Sequence, residues 1–474
     1  MLLKLLYDTK LAQASYLVGC QRTGEALVID PNRHVGQYLD AARAEGLRIA
    51  HVTETHIHAD FVSGARELAR AARATLYLSR EGGPDWQYAF AKADGATLIG
   101  DHDRIKVGNV IVEVLHTPGH TPEHLSFLLT DGAATDRPMG VFTGDFIFVG
   151  DVGRPDLLER AAGHAGTMEA GARTLFASLQ RFKALPDYLQ LWPGHGAGSA
   201  CGKALGAVPS STLGYERFAN WGLSTAEEDD FVQLVLAGQP EPPAYFARMK
   251  QVNRDGPEPL GERTAPPRLD AARLAEVLRS GATVVDLRST RDFAAGHVPG
   301  TINVPASRSL LNYAGAVLRA GRPLYLLGDD ARVAEAWRDL ALIGFDRIEG
   351  AFGPDALATG ARGSVPQRTP AELSEALASG AVTVVDVRGL AEVEAFRIAG
   401  SRHIPLGAVP DRLGEIPADR PVVMQCESGS RSAIAASLLA AAGRRDVMNL
   451  SGGIGAWLKA GLPVEREAPA RVGA

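Results

Sequence analysis

The sequence predicts an α/β protein in which one larger unit is followed by two copies of a smaller one. Three observations carry this. The hexapeptide Thr283-Val284-Val285-Asp286-Leu287-Arg288 recurs as Thr383-Val384-Val385-Asp386-Val387-Arg388. Downstream, Arg322-Pro323-Leu324-Tyr325-Leu326-Leu327 is matched by Arg420-Pro421-Val422-Val423-Met424-Gln425, and Gly344 and Gly443 then close corresponding Ala/Leu-rich runs. Short Val- and Leu-rich strands alternate with helix-length patterns, as in parallel sheets covered on both faces. A period of about 100 residues is one small α/β domain, too long for a solenoid unit.

Taken in order, the opening run Leu2–Tyr7 alternates as a first strand does, and Asp8 and Lys10 interrupt it before a signal-peptide core could form. Strands are expected at 26–30 and 49–53, a helix at 65–74, and further strand signals at 105–115 and 125–129. The stretch 239–267 is rich in Pro, Gly and charge, and its later part reads as a linker. Helical patterns at 269–280 and 369–379 precede the two repeated strands. The expected division is a first domain at 1–250, a linker at 251–268, repeats at 269–362 and 363–466, and a tail at 467–474.

Composition narrows the function. The 474 residues carry 49 Lys+Arg against 55 Asp+Glu, a net charge of −6, with 46% apolar and 22% charged residues. That is an ordinary globular chain, poorly suited to a nucleic-acid backbone. No stretch of about 18 uncharged apolar residues occurs, so no membrane partner is expected. Three cysteines cannot form a disulfide framework, which points to a reducing, cytoplasmic compartment. A homo-oligomer is expected.

The first domain contains Thr55-His56-Ile57-His58-Ala59-Asp60-Phe61, then His116-Thr117-Pro118-Gly119-His120-Thr121, Thr143-Gly144-Asp145, and Pro193-Gly194-His195-Gly196. Each follows a β-rich run, and the last three include Gly or Pro, so each reads as a loop at a strand end. Loops on one sheet edge can converge on a metal, since imidazole and carboxylate suit zinc or iron. A lone His-x-His reads as readily as a surface or core feature; four such clusters in series do not. His51, His102, His124 and His164 belong to no cluster and are expected to be surface or packing residues.

His56-x-His58-x-Asp60 with His120, Asp145 and His195 resembles the metallo-β-lactamase fold, an αββα sandwich with its metal site at one edge. Hydrolases of that fold generally hold two metals and use His-x-His-x-Asp-His. Here Phe61 stands at the last position, and a phenyl ring cannot ligate, which disfavours a dinuclear hydrolase. The branch most resembled is that of the persulfide dioxygenases, relatives of the glyoxalase II enzymes. The resemblance implies one ferrous iron per chain on His56, His120 and Asp145, with open positions of the kind used in O₂ chemistry. It implies that His58, Asp60 and His195 orient ligands or accept protons, with a metal role also open to them. Arg154, in Gly153-Arg154-Pro155-Asp156, matches a family segment and would either hold an anionic substrate group or orient the loop. Residues 243–250 resemble a helix found in relatives with appended sulfurtransferase domains. Cys201, six residues after His195, either approaches the metal pocket and the incoming persulfide or simply packs; Cys20 is expected to pack.

The second repeat carries Cys426-Glu427-Ser428-Gly429-Ser430-Arg431-Ser432 between a buried strand and an Ala/Leu helix. Backbone N–H groups and the helix dipole favour an anionic sulfur species in such a loop. It resembles the rhodanese active loop, a resemblance spanning most of 370–465. That implies Cys426 as persulfide carrier, Arg431 as oxyanion contact, and Ser428, Gly429 and Ser430 as the substrate-binding loop. Phosphatases of the same fold use Cys-x₅-Arg, whereas Cys-x₄-Arg here favours sulfur transfer. The first repeat has Gly328 in place of the cysteine, followed by Asp329-Asp330, and is expected to be a catalytically inert spacer or interface module.

Together these resemblances imply oxidation of a thiol persulfide (of glutathione, coenzyme A or similar) by O₂ to sulfite, coupled to rhodanese transfer forming thiosulfate, in sulfide detoxification. The rival reading is a glyoxalase II-like thioester hydrolase with an accessory sulfurtransferase.

Overall fold

The computed structural model describes residues 1–160, 166–203, 205–358, 360 and 362–466, the side chain of Leu158 excepted. His164 and the expected tail lie outside the described residues. The chain divides into two compact units, Met1–Arg263 with Ala341–Gly344, and the remainder from Thr264.

In the first unit, β1 (Leu2–Asp8), β2 (Gln13–Cys20), β3 (Glu25–Ile29), β4 (Arg48–Thr53), β5 (Thr75–Ser79) and β6 (Thr97–Ile99) form a sheet in that order. A second sheet runs β12 (Ser211–Thr212), β11 (Gln190–Pro193), β10 (Gly140–Gly144), β9 (Leu125–Asp131), β8 (Val110–His116), β7 (Arg104–Val107). The period-2 rule shows how they stack. All of β2 is buried. Its Tyr16 and Val18 meet Val112, Phe127 and Phe142 of the other sheet, while Leu17 points the opposite way, toward Tyr38 and Leu68 of helices Val35–Ala44 and Ala65–Ala72. Leu175 and Leu179 of helix Thr167–Phe182 cover the far face of the second sheet. The result is helix, sheet, sheet, helix, with each fully buried aliphatic or aromatic side chain contributing about 1.5–3 kcal/mol.

The strand signal at 105–115 is two strands. Gly108, at φ +58°, and Asn109 turn the chain between Val107 and Val110, which pair directly. Gly at the first turn position suits a two-residue hairpin. Helix Phe246–Asp255 runs past the position where the first domain is expected to end.

In the second unit, β13 (Thr283–Asp286), β14 (Ile302–Asn303), β15 (Leu324–Leu327) and β16 (Ile348–Phe352) form a parallel sheet ordered 14-13-15-16. A second parallel sheet, ordered 17-21-20-18-19, contains β17 (Gln367–Arg368), β18 (Thr383–Asp386), β19 (Arg402–His403), β20 (Val422–Gln425) and β21 (Val447–Leu450). The repeats share register: Asp286 pairs with Leu327 and Asp386 with Gln425, so Gly328 and Cys426 occupy equivalent strand ends. Helix Ser430–Ala441 is buried from Ser432 through Leu439 because it lies under both repeats. Ser437 Oγ accepts the Asn303 N–H of the first repeat at 3.0 Å. An all-round Ala/Leu helix is what such burial requires. No helix of the described residues is long and apolar enough to cross a membrane.

Candidate metal centre and sulfur-transfer loop

The four clusters meet at one edge of the sandwich, each just beyond a strand: β4 leads to His56, β8 to His120, β10 to Asp145 and β11 to His195. Glycines allow the approach. A Cβ on Gly144, at φ +49°, would lie 2.6 Å from Thr55 Oγ1, and one on Gly194 would lie 2.9 Å from Asp145 Oδ1.

Donor atoms of His56, His120 and Asp145 all lie within 4.8 Å of one another, and so do those of Asp60, His195 and Cys201. Asp145 Oδ2 is 3.6 Å from His120 Nε2 and 4.0 Å from His56 Nε2, and its Oδ1 is 3.4 Å from His195 Nε2. Neighbours fix the imidazole tautomers. His120 Nδ1 donates to the Arg154 carbonyl at 3.0 Å, and His195 Nδ1 to that of Ala12 at 3.0 Å. Thr55 Oγ1 donates to Asp30, so it accepts from His56 Nδ1 at 2.9 Å. All three Nε2 atoms therefore face the Asp145 carboxylate.

Burial and neighbouring imidazoles push His56 well below the usual histidine range, and burial lowers His120 despite Asp145. Both are neutral, the form that ligates a metal. Burial also depresses His195, but Asp145 and Asp60 outweigh it and the net shift is upward. Both oxygens of Asp145 and of Asp60 are buried without a hydrogen-bond donor. Lone pairs facing unpaired buried carboxylates call for a shared cation, and this donor set fits a divalent metal.

The remaining expected residues fall as follows. His58 turns to Asp30, with Nε2 at 3.2 Å from Oδ1; burial opposes its protonation, but Asp30 holds it at about 9. Phe61 is fully buried, its ring centroid 4.4 Å from that of His58. Asp60 Oδ2 is 3.3 Å from His195 Nε2. The buried Cys201 thiol stands beside Asp60 and His195, and burial with their carboxylate neighbours raises its pKa well above the usual value. Of the two roles expected for Arg154, substrate contact or loop orientation, its surroundings favour the second. Arg154 is wholly buried, forked onto Asp156 at 2.8 and 2.7 Å, and bonded to the carbonyls of Ala200 and Pro240. It orients the loop bearing the His120 acceptor.

Three residues escaped the sequence reading. Asp30, at φ +51° after β3, accepts Thr55 N–H at 2.6 Å and holds His58; a carboxylate ending an apolar strand at this edge was its signal. His124, expected as packing, is buried, stacks on His56 at 5.2 Å, and accepts the Asp145 N–H at 3.1 Å. Asn253, from within the expected linker, donates to the carbonyls of His58 and Phe61 at 2.7 Å each and accepts Ser63 N–H at 2.9 Å.

In the second unit Cys426 is buried at the end of β20. Its Sγ accepts Gly429 N–H at 3.1 Å and Ser432 O–H at 3.3 Å. Gly429, at φ +92°, caps helix Ser430–Ala441, and Ser428 Oγ lies 3.5 Å from Ser430 Oγ. Arg431, expected as an oxyanion contact, has its guanidinium held by Glu392 in a two-point ion pair at 2.7 Å each. At Gly328 no sulfur is present, and Asp329 is paired with Arg332 at 2.7 Å.

A Staphylococcus aureus metallo-beta-lactamase crystal structure is 45% identical to this chain, covering 75% of it and 99% of that chain with a TM-score of 0.67. The chain belongs to the metallo-β-lactamase superfamily. The superfamily model matches residues 8–195, and a rhodanese-like domain model matches 369–460, so the metallo-β-lactamase unit is fused to a C-terminal rhodanese-like domain. The bovine mitochondrial persulfide dioxygenase ETHE1 is 29% identical over 199 residues, 41% of this chain and 68% of its own. A hydroxyacylglutathione hydrolase from Nitrosococcus oceani is 33% identical over 183 residues, 38% of this chain. The chain spans 61% of that hydrolase's length. Within the superfamily, the metal-dependent fold and its His/Asp cluster are thus common ground, while dioxygenase and hydrolase relatives stand side by side.

Proposed function

We propose that the chain is an iron-dependent persulfide dioxygenase fused to a sulfurtransferase. On this reading 1–250 hold the oxidising domain, 269–362 an inert repeat and 363–466 the transfer domain. The observation that carries it is the three-donor set His56, His120 and Asp145, with Phe61 standing where a further imidazole would serve a second metal. The net reaction would convert a thiol persulfide, O₂ and water into the thiol and sulfite. Iron bound at the three donors would supply O₂ activation and an open position for the persulfide sulfur.

The chain's own residues do the rest. Arg154 O, Thr55 Oγ1 and Ala12 O fix the Nδ1 protons, so that His120, His56 and His195 each present a lone pair. Asp145 is held by its N–H bond to His124, and Asn253 clamps the His58–Phe61 backbone. Phe61 and Phe148, both buried, keep the site's walls apolar and limit water. In the last domain, Cys426 as thiolate would attack a sulfane sulfur and pass it to sulfite, giving thiosulfate. Removal of sulfite by the same chain fits a role in sulfide detoxification.

The Asp60, His195 and Cys201 group favours a second reading, a dinuclear thioester hydrolase. Anaerobic iron reconstitution followed by oxygen-electrode assays with glutathione and coenzyme A persulfides separates the two. Persulfide-dependent O₂ uptake is expected. Two bound zincs with thioester turnover and no uptake would overturn the dioxygenase.

A further inference from the structure

Two guanidinium groups lie near the Cys426 loop, and both are already engaged. Arg431 is gripped by Glu392, whose Oε2 also accepts the Gly389 N–H at 3.0 Å. Burial alone would raise the Glu392 pKa, yet Arg431 brings it below the usual carboxylate value, so this pair is charged on both sides. Arg388 is wholly buried and forked onto Asp386, with Nη2–Oδ2 at 2.8 Å. Its Nη1 has no hydrogen-bond partner and lies 3.9 Å from Glu427 Oε2. Glu427 directly follows Cys426, and its side chain is 49% exposed. These five side chains amount to two positive and three negative charges, an excess of one negative before any charge on sulfur is counted. Attraction for an anion comes from the Gly429 N–H and the Ser432 hydroxyl, both directed at Sγ, and from the N-terminus of helix Ser430–Ala441, with no unpaired guanidinium added to them.

We propose that Glu427 and Glu392 determine the specificity of sulfur transfer. They favour loading of Cys426 from organic persulfides of low net charge and hold back exchange with the dianions thiosulfate and sulfite. The proposal rests on Cys426 being the sulfur carrier and names which exchange is fast. In loading, the Cys426 thiolate attacks the terminal sulfur of RS–SH. A Cys S–S bond forms, the RS–S bond breaks, and the electron pair leaves on RS⁻, which takes a proton from water. With thiosulfate the sulfane S–S bond breaks and sulfite leaves with the pair. In that second transition state the oxyanion enters the loop whose first residue after Cys426 is Glu427. The same transition state serves both directions, so the carboxylates slow thiosulfate formation and thiosulfate use by the same factor relative to loading from an organic persulfide, and prevent neither. A unit charge and a dianion about 6 Å apart in water correspond to about a tenfold rate difference.

The test uses the full chain. Thiosulfate or cysteamine persulfide is mixed with it in single turnover, and persulfide on the Cys426 peptide is followed by mass spectrometry after alkylation. Glu427→Gln is expected to raise the thiosulfate-to-cysteamine-persulfide rate ratio about tenfold, and Glu392→Gln, by freeing Arg431, to raise it as well. Added salt should narrow the ratio in the natural sequence and have little effect in Glu427→Gln. Because the Glu427 side chain is half exposed, its variant tests the proposal even if Glu392→Gln folds poorly. A ratio unchanged within about twofold in Glu427→Gln overturns the charge filter. Failure of the natural sequence to load from either donor overturns the carrier reading instead.

Discussion

Replacing Asn253 by alanine would remove the amide that ties helix Phe246–Asp255 to the loop carrying His58, Asp60 and Phe61. Two carbonyls and one N–H, all buried, would lose their partner. An orphaned buried group costs about 1–3 kcal/mol, and water re-entering the gap recovers part of that, so a loss of about 3–6 kcal/mol is expected. That is a large share of a typical domain stability of about 5–15 kcal/mol. Asn253→Asp is the milder companion. It keeps the size and the acceptor for Ser63 but loses both donors, and should cost about 2–4 kcal/mol. Urea denaturation measures the stability, and competition with a chromophoric chelator measures metal affinity. Because the loop positions Asp60 and the backbone beside His56, affinity should fall on the order of tenfold in both variants. Stability within about 0.5 kcal/mol of the natural sequence, with unchanged metal affinity, would refute the clamp.

Cys426→Ser should abolish thiosulfate formation while sulfite still accumulates; loss of both products would contradict the division of labour between domains. Phe61→His places an imidazole beside His58 in a fully buried site. It should cost about 2 kcal/mol by urea denaturation and let zinc-loaded protein retain more than one metal per chain; an unchanged metal count would count against the role given to Phe61. Asp94 is bonded to Arg66 at 2.5 and 3.0 Å and to Arg70 at 3.0 Å, and the Arg66 hydrogen bond leads in holding its carboxyl below the usual value. The folded state therefore binds the Asp94 proton more weakly than the unfolded chain does. Its contribution is present above the ordinary carboxylate range and is lost as pH falls through the lowered folded value. Asp94→Asn should cost about 1 kcal/mol at neutral pH, a cost that shrinks as pH falls below the ordinary carboxylate range, and a pH-independent cost would refute the assignment.

The candidate metal donors could be picked out because each sits in a short turn directly after an apolar strand, and strands of one sheet end at a common edge. The duplicated domain was legible because Thr283–Arg288 and Thr383–Arg388 repeat almost letter for letter. What the sequence concealed is pairing across distance. Asn253 lies 192 residues from Phe61 in a charged helix of a Pro-rich stretch, so nothing local marks it as buried. Glu392 is 39 residues from Arg431, and only their meeting shows that the loop's cation is neutralised. His124 read as packing because it belongs to no cluster; the tight turn after His120 buries it against His56. The hairpin at Gly108-Asn109 was hidden by continuous apolar alternation on both sides of it.

The proposed dioxygenase chemistry depends on a single metal held by His56, His120 and Asp145. The most direct test is the number of metal ions retained per chain after anaerobic iron loading and exhaustive dialysis, in the natural sequence and in Asp145→Ala. One iron is expected in the first and almost none in the second. Two tightly held ions, or full retention without Asp145, would contradict that expectation.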